Sequence, residues 1–416
     1  MDYKIYPHSF KDYVAYLPAS KSISNRLLII QSLSRKAGEL TNIAVCDDTD
    51  AMQQALHDYQ LGKSHFNIGA AGTAMRFLTS YFALTSDREI TLDGTARMRQ
   101  RPIRELVEVL RKCGADIKYI SLGEETNESC PPIAITGKPL TGGTLQVHGN
   151  ISSQYISSLM MVAPYMQGGL TIEIVGGLVS RPYVEMTAGL MREFGASVAI
   201  EDNRISISQG EYIAVTADIE SDWSAASYWY ELKALLPDTA ITLKGLREKS
   251  VQGDSRLIEY FRNFGVETRF TADGATLHHN SELEKSAIDI DLTEQPDIAQ
   301  TIAVTACLLG KPFCLRGLST LKIKETDRIH ALITQLAKLG YVLKEGENVS
   351  LIWDGTTTAI AESPQIETFK DHRMAMAFAP AAIKIAGLTI LDAGVVSKSY
   401  PDFWRHMVEF GFRIEE

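Results

Sequence analysis

One pattern recurs along this sequence of 416 residues and limits what the chain can fold into. A helix-like stretch ends at a glycine, and a short apolar stretch with the character of a strand follows it. A glycine in this place is typical of a helix that ends in the left-handed conformation. The six glycines, the last from the faintest copy, are Gly114, Gly195, Gly265, Gly340, Gly411 and Gly62. The repeated unit of strand, loop, helix, glycine and strand predicts an α/β protein with helices packed on sheets.

The spacing of the repeats also predicts two domains. The segment 211–230, EYIAVTADIESDWSAASYWY, lies midway along the chain, and three repeats precede it while three follow it. We therefore expect one domain of residues 19–221 and a discontinuous domain of residues 1–18 with 222–416. The first strand, KIYPHSF, is expected to join the second half of the chain as a terminal edge strand.

Charge and cysteine content exclude several classes of function. The net charge is −10 and the pI is about 5.5, which argues against nucleic acid as a partner, because nucleic acid requires a broad basic surface. The five cysteines are odd in number and form no C-x-x-C pair, which argues against a disulfide framework or a zinc site. No apolar run reaches the roughly 18 residues that a membrane span needs. We expect a cytoplasmic protein without a membrane segment.

The loops that precede the repeated helices carry an excess of Arg, Lys and Ser. Free N–H groups and the positive end of the helix dipole favour anions at such places. A single loop of this kind is usually a solvated helix start, but four in one register favour an anion site. The stretch KIKETDRIH adds Glu325 and Asp327, of which one could orient a basic neighbour and another could transfer a proton. The basic and serine residues are Arg97, Arg99, Arg101, Ser180, Arg181, Lys322, Lys324, Arg328 and Lys398.

Three further stretches combine polar residues with a helix start. LPASKSISNR places Lys21, Ser22 and Arg26 where a phosphate or a carboxylate could bind, although an ordinary serine cap explains the stretch equally well. AAGTAMRFL has Gly72 in a turn that lets a ligand approach the backbone, with close helix packing as the alternative. DHRMAMAF places Asp371, His372 and Arg373 at the head of an apolar helix, and SSQYISSLMM repeats this layout with serines and a glutamine.

Taken together, the motifs of this chain resemble those of the 5-enolpyruvylshikimate-3-phosphate synthase family. The matching motifs run from about residue 18 to residue 403, and K-E-T-D-R and D-H-R-M-A-M are distinctive even singly. In chain order they are LPASKSISNR, AAGTAMRFL, RQRPI, SSQYISSLMM, LVSRPY, IKETDRI, DHRMAMAF and VSKSYPDF. The chain departs from the family pattern at Ala19, Ala70 and Thr320, where the family usually has glycine, asparagine and asparagine.

The resemblance implies both a fold and a reaction. The fold is the α/β, two-domain enolpyruvyl transferase fold, an inverse α/β barrel-like arrangement of six βαβαββ repeats, three per domain. The reaction transfers the enolpyruvyl group of phosphoenolpyruvate to the 5-hydroxyl of shikimate 3-phosphate and releases phosphate, in the shikimate pathway that leads to chorismate and the aromatic amino acids. The substrates bind between the domains, which close over them. The resemblance implies no metal, no cofactor and a monomeric enzyme.

The resemblance also assigns the site residues. Asp297, Glu325 and Lys21 are the candidates for proton transfer. The residues implied for shikimate 3-phosphate are Lys21, Ser22, Arg26, Ser152, Ser153, Gln154, Ser180, Tyr183, Asp297, Thr320 and Lys324. The residues implied for phosphoenolpyruvate are Lys21, Gly72, Arg101, Gln154, Arg328, Arg373 and Lys398.

Two other functions compete with this prediction. UDP-N-acetylglucosamine enolpyruvyl transferase shares the fold and the chemistry, but it has a lysine–asparagine pair where this chain has Lys21–Ser22. It also often has a cysteine in a mobile loop, whereas Cys113 here occupies an apolar repeat position typical of a core residue. A non-catalytic repeat scaffold would not require seven basic groups and two carboxylates in matching loops.

Overall fold

Two compact units make up the chain in this computed structural model. The first unit comprises Met1–Pro18 and Glu220–Glu416, and the second unit comprises Ala19–Ile219. The structure describes residues 1–34, 38–121, 123, 129–149, 152–280 and 286–416. Each unit has a hydrophobic core of its own, built from the apolar faces of its helices and sheets.

The elements follow one another in the alternating order predicted from the repeats. The helices are α1 (Lys21–Leu33), α2 (Asp47–Gln60), α3 (Gly72–Thr85), α4 (Arg104–Lys112), α5 (Ser153–Val162), α6 (Arg181–Glu193), α7 (Trp223–Leu235), α8 (Leu257–Phe261), α9 (Ala299–Leu308), α10 (Arg328–Lys338), α11 (His372–Phe378) and α12 (Phe403–Phe410). Short 3-10 turns precede several of them, including Pro296–Ile298 before α9 and Gly253–Arg256 before α8.

The strands are short and lie between the helices along the chain. They are β1 (Tyr3–Pro7), β2 (Tyr13–Tyr16), β3 (Leu40–Thr41), β4 (His65–Asn67), β5 (Glu89–Asp93), β6 (Asp116–Tyr119), β7 (Ile133–Thr136), β8 (Thr141–His148), β9 (Gln167–Val175), β10 (Val198–Glu201), β11 (Arg204–Ile207), β12 (Ala217–Asp218), β13 (Ile241–Lys244), β14 (Val266–Thr271), β15 (Gly274–His279), β16 (Ile288–Asp291), β17 (Phe313–Arg316), β18 (Lys344–Gly346), β19 (Ser350–Trp353), β20 (Gln365–Ile366), β21 (Leu388–Ile390) and β22 (Phe412–Glu415).

The four-stranded sheets share one topology. In the sheet β16-β17-β19-β18, β16 and β17 are parallel and are separated in sequence by α9, while α10 leads to the antiparallel hairpin β18–β19. The sheets β4-β5-β7-β6 and β8-β9-β11-β10 of the second unit repeat this arrangement. Each of these sheets is therefore one βαβαββ unit, in which a helix connects the two parallel strands.

The N-terminal strands complete two sheets of the first unit. β2 pairs in parallel with β13, in the sheet β2-β13-β15-β14. β1 joins the sheet β20-β21-β1-β22, so it belongs with the second half of the chain as expected. The expectation that it forms an edge strand was wrong, because β1 pairs with β21 on one side and β22 on the other. Its central residue Ile5 is fully buried, which suits an interior strand.

The sixth repeat is smaller than the resemblance implies. In the described part of the second unit, β3 and β12 form only a two-stranded parallel pair, which accompanies α1 and α2. The six repeat glycines behave as predicted, because all of them have positive φ, from 77° at Gly265 to 135° at Gly411. No helix within the described ranges has the length and apolar character that crossing a membrane requires.

A buried carboxyl group in the core of the first unit makes stability depend on pH. Glu231 of α7 is fully buried, and neither carboxyl oxygen has a hydrogen-bond partner among the described residues. Burial raises the pKa of Glu231 well above its usual value. The folded state therefore keeps a proton that the unfolded chain releases above about pH 4.3, so stability falls as pH rises above that value, up to the raised pKa.

We expect Glu231→Gln to remove this pH dependence. Between pH 5 and pH 8 the unfolding temperature of the variant should rise relative to that of the unchanged protein, by about 2–4 °C for each kcal/mol recovered. Thermal unfolding followed by circular dichroism at several pH values measures the difference. Glu193→Gln, at an exposed position of α6, is the control and should leave the pH dependence unchanged. A difference between Glu231→Gln and the unchanged protein that stays constant with pH would contradict the explanation.

Candidate active site

The first helix of the second unit begins with a serine cap and a lysine that is held by an ion pair. The Ser20 side chain accepts a hydrogen bond from the Ile23 N–H at 3.4 Å, so the serine cap considered from the sequence is present. The Lys21 Nζ lies 3.1 Å from Oδ2 of Asp48, at the start of α2. Both side chains are largely buried, and the pair fixes the Lys21 ammonium beside the head of α1.

Arg26 is the most deeply buried cation of the second unit's candidate residues. Its guanidinium donates to Oγ1 of Thr187 at 2.7 Å, to the carbonyl of Ser22 at 2.8 Å and to Oγ of Ser157 at 3.3 Å. It also donates to the carbonyl of Tyr183 at 3.4 Å, and it lies 5.8 Å from the centre of the Tyr183 ring. Burial lowers the pKa of Arg26 to about 10.

No carboxylate of the described residues lies within ion-pair distance of Arg26. Its partners are hydroxyl groups, carbonyl groups and the faces of aromatic rings, and the second ring is that of Phe77, at 5.4 Å. A buried cation without a counter-charge is costly, and an anionic ligand is one means of supplying that charge. Arg26 is therefore a buried cation whose charge no carboxylate of the described residues balances.

Two arginines converge on the backbone at the head of α3. A Cβ atom built on Gly72 would lie 2.6 Å from Nη1 of Arg101 and 3.0 Å from Nη1 of Arg76. The Arg76 Nη1 donates to the carbonyl of Gly72 at 2.9 Å. The missing side chain of Gly72 leaves room for both guanidinium groups at this helix start, while the approach of a ligand to this turn stays a prediction.

The serine and glutamine residues assigned to the sugar phosphate lie at the heads of α5 and α6. Ser152 caps α5 and accepts from the Gln154 N–H at 3.3 Å, while Ser153 is the first residue of that helix. The Gln154 Nε2 donates to Oγ1 of Thr73 at 3.2 Å, which brings α5 beside the head of α3. Ser180 precedes α6 with a positive φ of 57°, and Tyr183 follows in the first turn of that helix.

Arg328 is the centre of an ionic network in the first unit. The guanidinium is buried and contacts three carboxylates: Oδ2 of Asp371 at 2.7 Å, Oδ1 of Asp297 at 2.9 Å and Oε2 of Glu325 at 3.1 Å. Asp371, at the head of α11, is itself fully buried and accepts from the Arg373 N–H at 2.9 Å. Burial alone would lower the pKa of Arg328, but the three carboxylates outweigh it and raise the pKa.

Asp297 connects three cations of the first unit. Its carboxylate lies 3.2 Å from Nζ of Lys324, 2.9 Å from Nη1 of Arg328 and 3.5 Å from Nη2 of Arg373, and its carbonyl accepts from Nη1 of Arg373 at 2.9 Å. Burial alone would raise the pKa of Asp297, but Lys324, Arg373 and Arg328 hold it well below its usual range. Asp297 is therefore ionised at neutral pH and acts as an acceptor.

Glu325 and Lys398 extend the same network. The Lys398 Nζ lies 2.8 Å from Oε1 of Glu325, whose other oxygen contacts Arg328. Thr320 lies in the short turn Ser319–Ile323, which precedes Glu325 in the chain. Thr320 is buried, and its hydroxyl has no hydrogen-bond partner among the described residues. Asp327 has another role: it caps α10 and accepts from the N–H groups of Ile329 and His330 at 3.1 Å each. Glu325 is thus the acid of KIKETDRIH that lies in the network.

The structure brings the predicted residues of the first unit together directly. Asp297, Glu325, Lys324, Arg328, Arg373 and Lys398 form one connected set of ion pairs. In the second unit, the predicted residues line the heads of α1, α3, α5 and α6, where Arg26 contacts Tyr183 and Gln154 contacts Thr73. Lys322 lies outside the network, because its ammonium pairs with Glu345 at 2.6 Å on the surface.

Comparison with known proteins identifies the family. The family model for EPSP synthase (3-phosphoshikimate 1-carboxyvinyltransferase) matches residues 58–407. The 3-phosphoshikimate 1-carboxyvinyltransferase of Bacteroides fragilis (strain YCH46) is 48% identical over 400 residues, which cover 96% of this chain and 95% of the relative. The chain belongs to the EPSP synthase family. The enzyme of the same name from Haemophilus ducreyi is 35% identical and covers 93% of each chain.

Membership of the EPSP synthase family confirms the predicted fold and reaction class. A solved EPSP synthase from Acinetobacter baumannii superimposes with a TM-score of 0.78 over 100% of both chains, at 20% identity. The predicted two-domain enolpyruvyl transferase fold is therefore correct. The chain is a transferase, and the reaction of the EPSP synthase family is enolpyruvyl transfer from phosphoenolpyruvate to shikimate 3-phosphate in the shikimate pathway.

Sequence reasoning missed several residues that contact the assigned site residues. The motif DHRMAMAF places Asp371 in a polar helix head, but nothing in the motif indicates that its carboxylate holds Arg328. Asp48, which pairs with Lys21, lies in CDDTDAM, where nothing distinguishes it from the neighbouring aspartates. Asp254 lies in the repeat start QGDSR and contacts Ser224, which in turn contacts Arg373. Only the fold brings these pairs together, because they are separated by 27 to 149 residues along the chain.

Proposed function

We propose that the residues at the helix heads of the second unit and the ionic network around Arg328 in the first unit hold the two anionic substrates of this reaction. We also propose that Glu325 and Asp297 take part in its proton transfers. The enolpyruvyl group passes to the 5-hydroxyl of shikimate 3-phosphate, and phosphate leaves. The observation that carries the proposal is the network around Arg328, in which four cations and three carboxylates are held in direct contact. Such a network provides cations for anionic oxygens beside groups that can accept or donate protons.

Charge balance supports the assignment of the basic residues. Each phosphate carries roughly −1.5 to −2 at neutral pH and each carboxylate −1, so the two substrates together bring about −5 to −6. A chain of net charge −10 must concentrate cations locally to hold them. Seven cations are assigned to this role: Lys21, Arg26, Arg101, Lys324, Arg328, Arg373 and Lys398.

Shikimate 3-phosphate is assigned to the helix heads of the second unit. Arg26 supplies a buried positive charge that has no carboxylate partner in the described chain, and Ser152, Ser153 and Ser180 lie at helix starts, where N–H groups favour a phosphate. Ser22, Gln154 and Tyr183 complete this group by the match of their motifs. Thr320 and Asp297 of the first unit are assigned to the substrate hydroxyl groups, because one has an unused buried hydroxyl and the other an ionised carboxylate.

Phosphoenolpyruvate is assigned to the arginines and to Lys398. Planar guanidinium groups bind carboxylate and phosphate oxygens through paired hydrogen bonds, which suits Arg101, Arg328 and Arg373. In this structure the carboxylates of Asp297, Glu325 and Asp371 contact the three cations of the first unit, which are Arg328, Arg373 and Lys398. Substrate oxygens would replace some of these contacts, and the carboxylates would then become stronger bases because they lose cationic partners. Lys21, Gly72 and Gln154 are assigned to the same substrate by motif.

The reaction needs two opposite proton movements. A proton must reach the methylene carbon of phosphoenolpyruvate, so that C2 can accept the 5-hydroxyl oxygen, and a base must take the hydroxyl proton. Elimination of phosphate then removes a proton from the new methyl group and restores the double bond. Asp297 is assigned to accept the hydroxyl proton, because it is ionised and becomes a stronger base once substrate oxygens replace its cationic partners. Glu325, held between Lys398 and Arg328, is assigned to the carbon-bound proton, with Lys21 as a third candidate.

Substitution of Gly72 should separate binding of phosphoenolpyruvate from folding. The Cβ of Gly72→Ala would meet the guanidinium of Arg101, which is the flexible end of a side chain, so the helix can remain while the arginine moves. We expect the KM for phosphoenolpyruvate to rise by about tenfold or more, which is the loss of about one charged hydrogen bond, with little change in unfolding temperature. Steady-state kinetics measures the KM. Gly210→Ala is the control for an added methyl group, because this exposed glycine of the same unit has no positive φ and no atom within 4 Å of the new Cβ.

Phosphate release tests the proposed function. The protein is mixed with phosphoenolpyruvate and either shikimate 3-phosphate or UDP-N-acetylglucosamine, and inorganic phosphate is measured. The proposal predicts rapid phosphate release from phosphoenolpyruvate when shikimate 3-phosphate is the acceptor, and none when UDP-N-acetylglucosamine is the acceptor. Release with UDP-N-acetylglucosamine alone would assign the chain to the sister reaction, and release with neither acceptor would contradict enolpyruvyl transfer altogether.

We further infer that the enzyme acts in the cytoplasm as a monomer of two domains, residues 1–18 with 222–416 and residues 19–221. The five cysteines are free thiols, as a reducing compartment favours. The absence of a metal and of an organic cofactor from the proposed reaction, like the monomeric state, is what the resemblance to the family implies. Light scattering should give a mass of 45.9 kDa, and twice that mass would contradict the monomer.

A further inference from the structure

Asp254 is a buried acid that the proposed mechanism leaves unused. It lies in the short turn Gly253–Arg256, within the QGDSR stretch that begins one of the repeats. Its side chain is almost completely buried; Oδ2 accepts a hydrogen bond from Oγ of Ser224, and Oδ1 has no hydrogen-bond partner among the described residues. A buried carboxyl group with an unsatisfied oxygen is costly, so its position calls for an explanation.

Ser224 connects Asp254 to Arg373. The Arg373 Nη2 donates to Oγ of Ser224 at 3.2 Å, while Nη1 donates to the carbonyl of Asp297 at 2.9 Å. The Ser224 hydroxyl therefore accepts a hydrogen bond from the guanidinium and donates a hydrogen bond to the carboxyl group of Asp254. This chain of hydrogen bonds fixes one side of the arginine that we assign to phosphoenolpyruvate.

The charges around Asp254 bring its ionisation close to neutral pH. Burial raises the pKa of Asp254 to about 6; the positive charge of Arg373 opposes the rise, and Asp297 and Asp222 add to it. The neighbouring helix α8 contributes Glu259, but this carboxylate pairs with Arg256 at 3.4 Å, and both side chains are exposed. Arg373 is thus the cation whose charge favours the ionised form of Asp254.

We propose that Asp254 is a positioning residue that holds Arg373 through Ser224 and couples the binding of phosphoenolpyruvate to the uptake of a proton. When an anion binds to Arg373, it offsets the positive charge that favours ionised Asp254, so Asp254 becomes easier to protonate. By the same linkage, phosphoenolpyruvate binds better when Asp254 is already protonated. This inference rests on the proposed function, because it takes the phosphoenolpyruvate assignment of Arg373 as given.

The test compares pH profiles of kcat/KM for phosphoenolpyruvate, at saturating shikimate 3-phosphate, between pH 5.5 and pH 8.5. Asp254→Asn keeps an acceptor for Ser224 but cannot ionise, whereas Ser224→Ala removes the bridge and leaves the acid. The ionisation of the substrate is common to all variants and cancels in their ratios. Asp273→Asn, an exposed carboxylate of the same unit that pairs with Lys244, is the control. Unfolding temperatures show that each variant is folded.

We expect the ratio of kcat/KM between the unchanged protein and Asp254→Asn to fall by about tenfold from pH 5.5 to pH 8, as a pKa difference of one unit requires. The change should be centred near pH 6, and Asp273→Asn should show none. Ser224→Ala should raise the KM for phosphoenolpyruvate by about five- to tenfold, with less effect on kcat.

A ratio for Asp254→Asn that stays constant with pH, together with an unchanged KM in Ser224→Ala, would overturn the inference. In that case an active unchanged protein would leave the proposed function intact. An unchanged protein that releases no phosphate from the two substrates would instead contradict the proposed function, and the inference with it.

Discussion

Replacement of Glu325 by glutamine should lower kcat by about a hundred- to ten-thousand-fold, the range that a general acid or base contributes. Glutamine keeps the size and one acceptor oxygen of the side chain, so contacts with Lys398 and Arg328 can persist in weaker form. It cannot exchange a proton with the methylene carbon of phosphoenolpyruvate. The KM values for both substrates should therefore change by less than about threefold, because the loss falls on the chemical step.

A single-turnover experiment with enzyme in excess measures this effect on the chemical step itself. Glu345→Gln is the matched control: this carboxylate pairs with Lys322 on the surface of the same unit, and its loss should leave kcat unchanged. Near-normal turnover in Glu325→Gln would remove Glu325 from the mechanism. A large rise in KM with normal kcat would give it a binding role instead.

Replacement of Arg26 by methionine should weaken binding of shikimate 3-phosphate by about ten- to a hundred-fold or more, the loss of a hydrogen bond to a charged group. The same change should leave the ligand-free protein as stable as before, or more stable. The buried guanidinium has no carboxylate partner in the described chain, so an apolar side chain of similar length removes an uncompensated charge. Its hydroxyl partners Thr187 and Ser157 remain bonded to each other at 2.9 Å.

Isothermal titration with shikimate 3-phosphate and thermal unfolding without ligand measure the two halves of this prediction. Arg104→Met, at an exposed arginine of α4 in the same unit, is the control and should change neither. A variant that is strongly destabilised, with its loss of affinity explained by unfolding, would show that Arg26 has a structural role. Unchanged affinity would remove Arg26 from the substrate site.

The sequence was sufficient to predict the repeat and to single out most of the charged residues that form the ionic network around Arg328. The six glycines mark helix ends because the left-handed conformation is cheap only for glycine, and this signal is local. In the first unit, the loops before two of the helices carry Arg328 and Lys398 in a common register, so their meeting at Glu325 agrees with the expectation from the repeat. The family motifs then supplied the residue assignments that periodicity alone cannot provide.

Contacts between distant parts of the chain could not be predicted in the same way. β1 lies inside a sheet because β21 and β22, which follow it by 383–411 residues in the paired registers, provide both of its partners. Asp371 holds Arg328 across 43 residues, and no spacing rule connects them. Asp254 had no visible role, because its contact with Ser224 and Arg373 depends on how three separate elements pack. Hydrophobic patterning determines which face of an element is buried, but it does not determine which polar group a buried side chain contacts.

A crystal structure with shikimate 3-phosphate bound is the measurement that tests the central claim most directly. The claim is that cations and helix heads far apart in the sequence bind the two anionic substrates. The account predicts ligand oxygens within hydrogen-bond distance of Lys21, Arg26, Asp297 and the serines at the heads of α5 and α6. A ligand bound elsewhere, with Arg26 still surrounded only by its present hydroxyl and carbonyl partners, would contradict it.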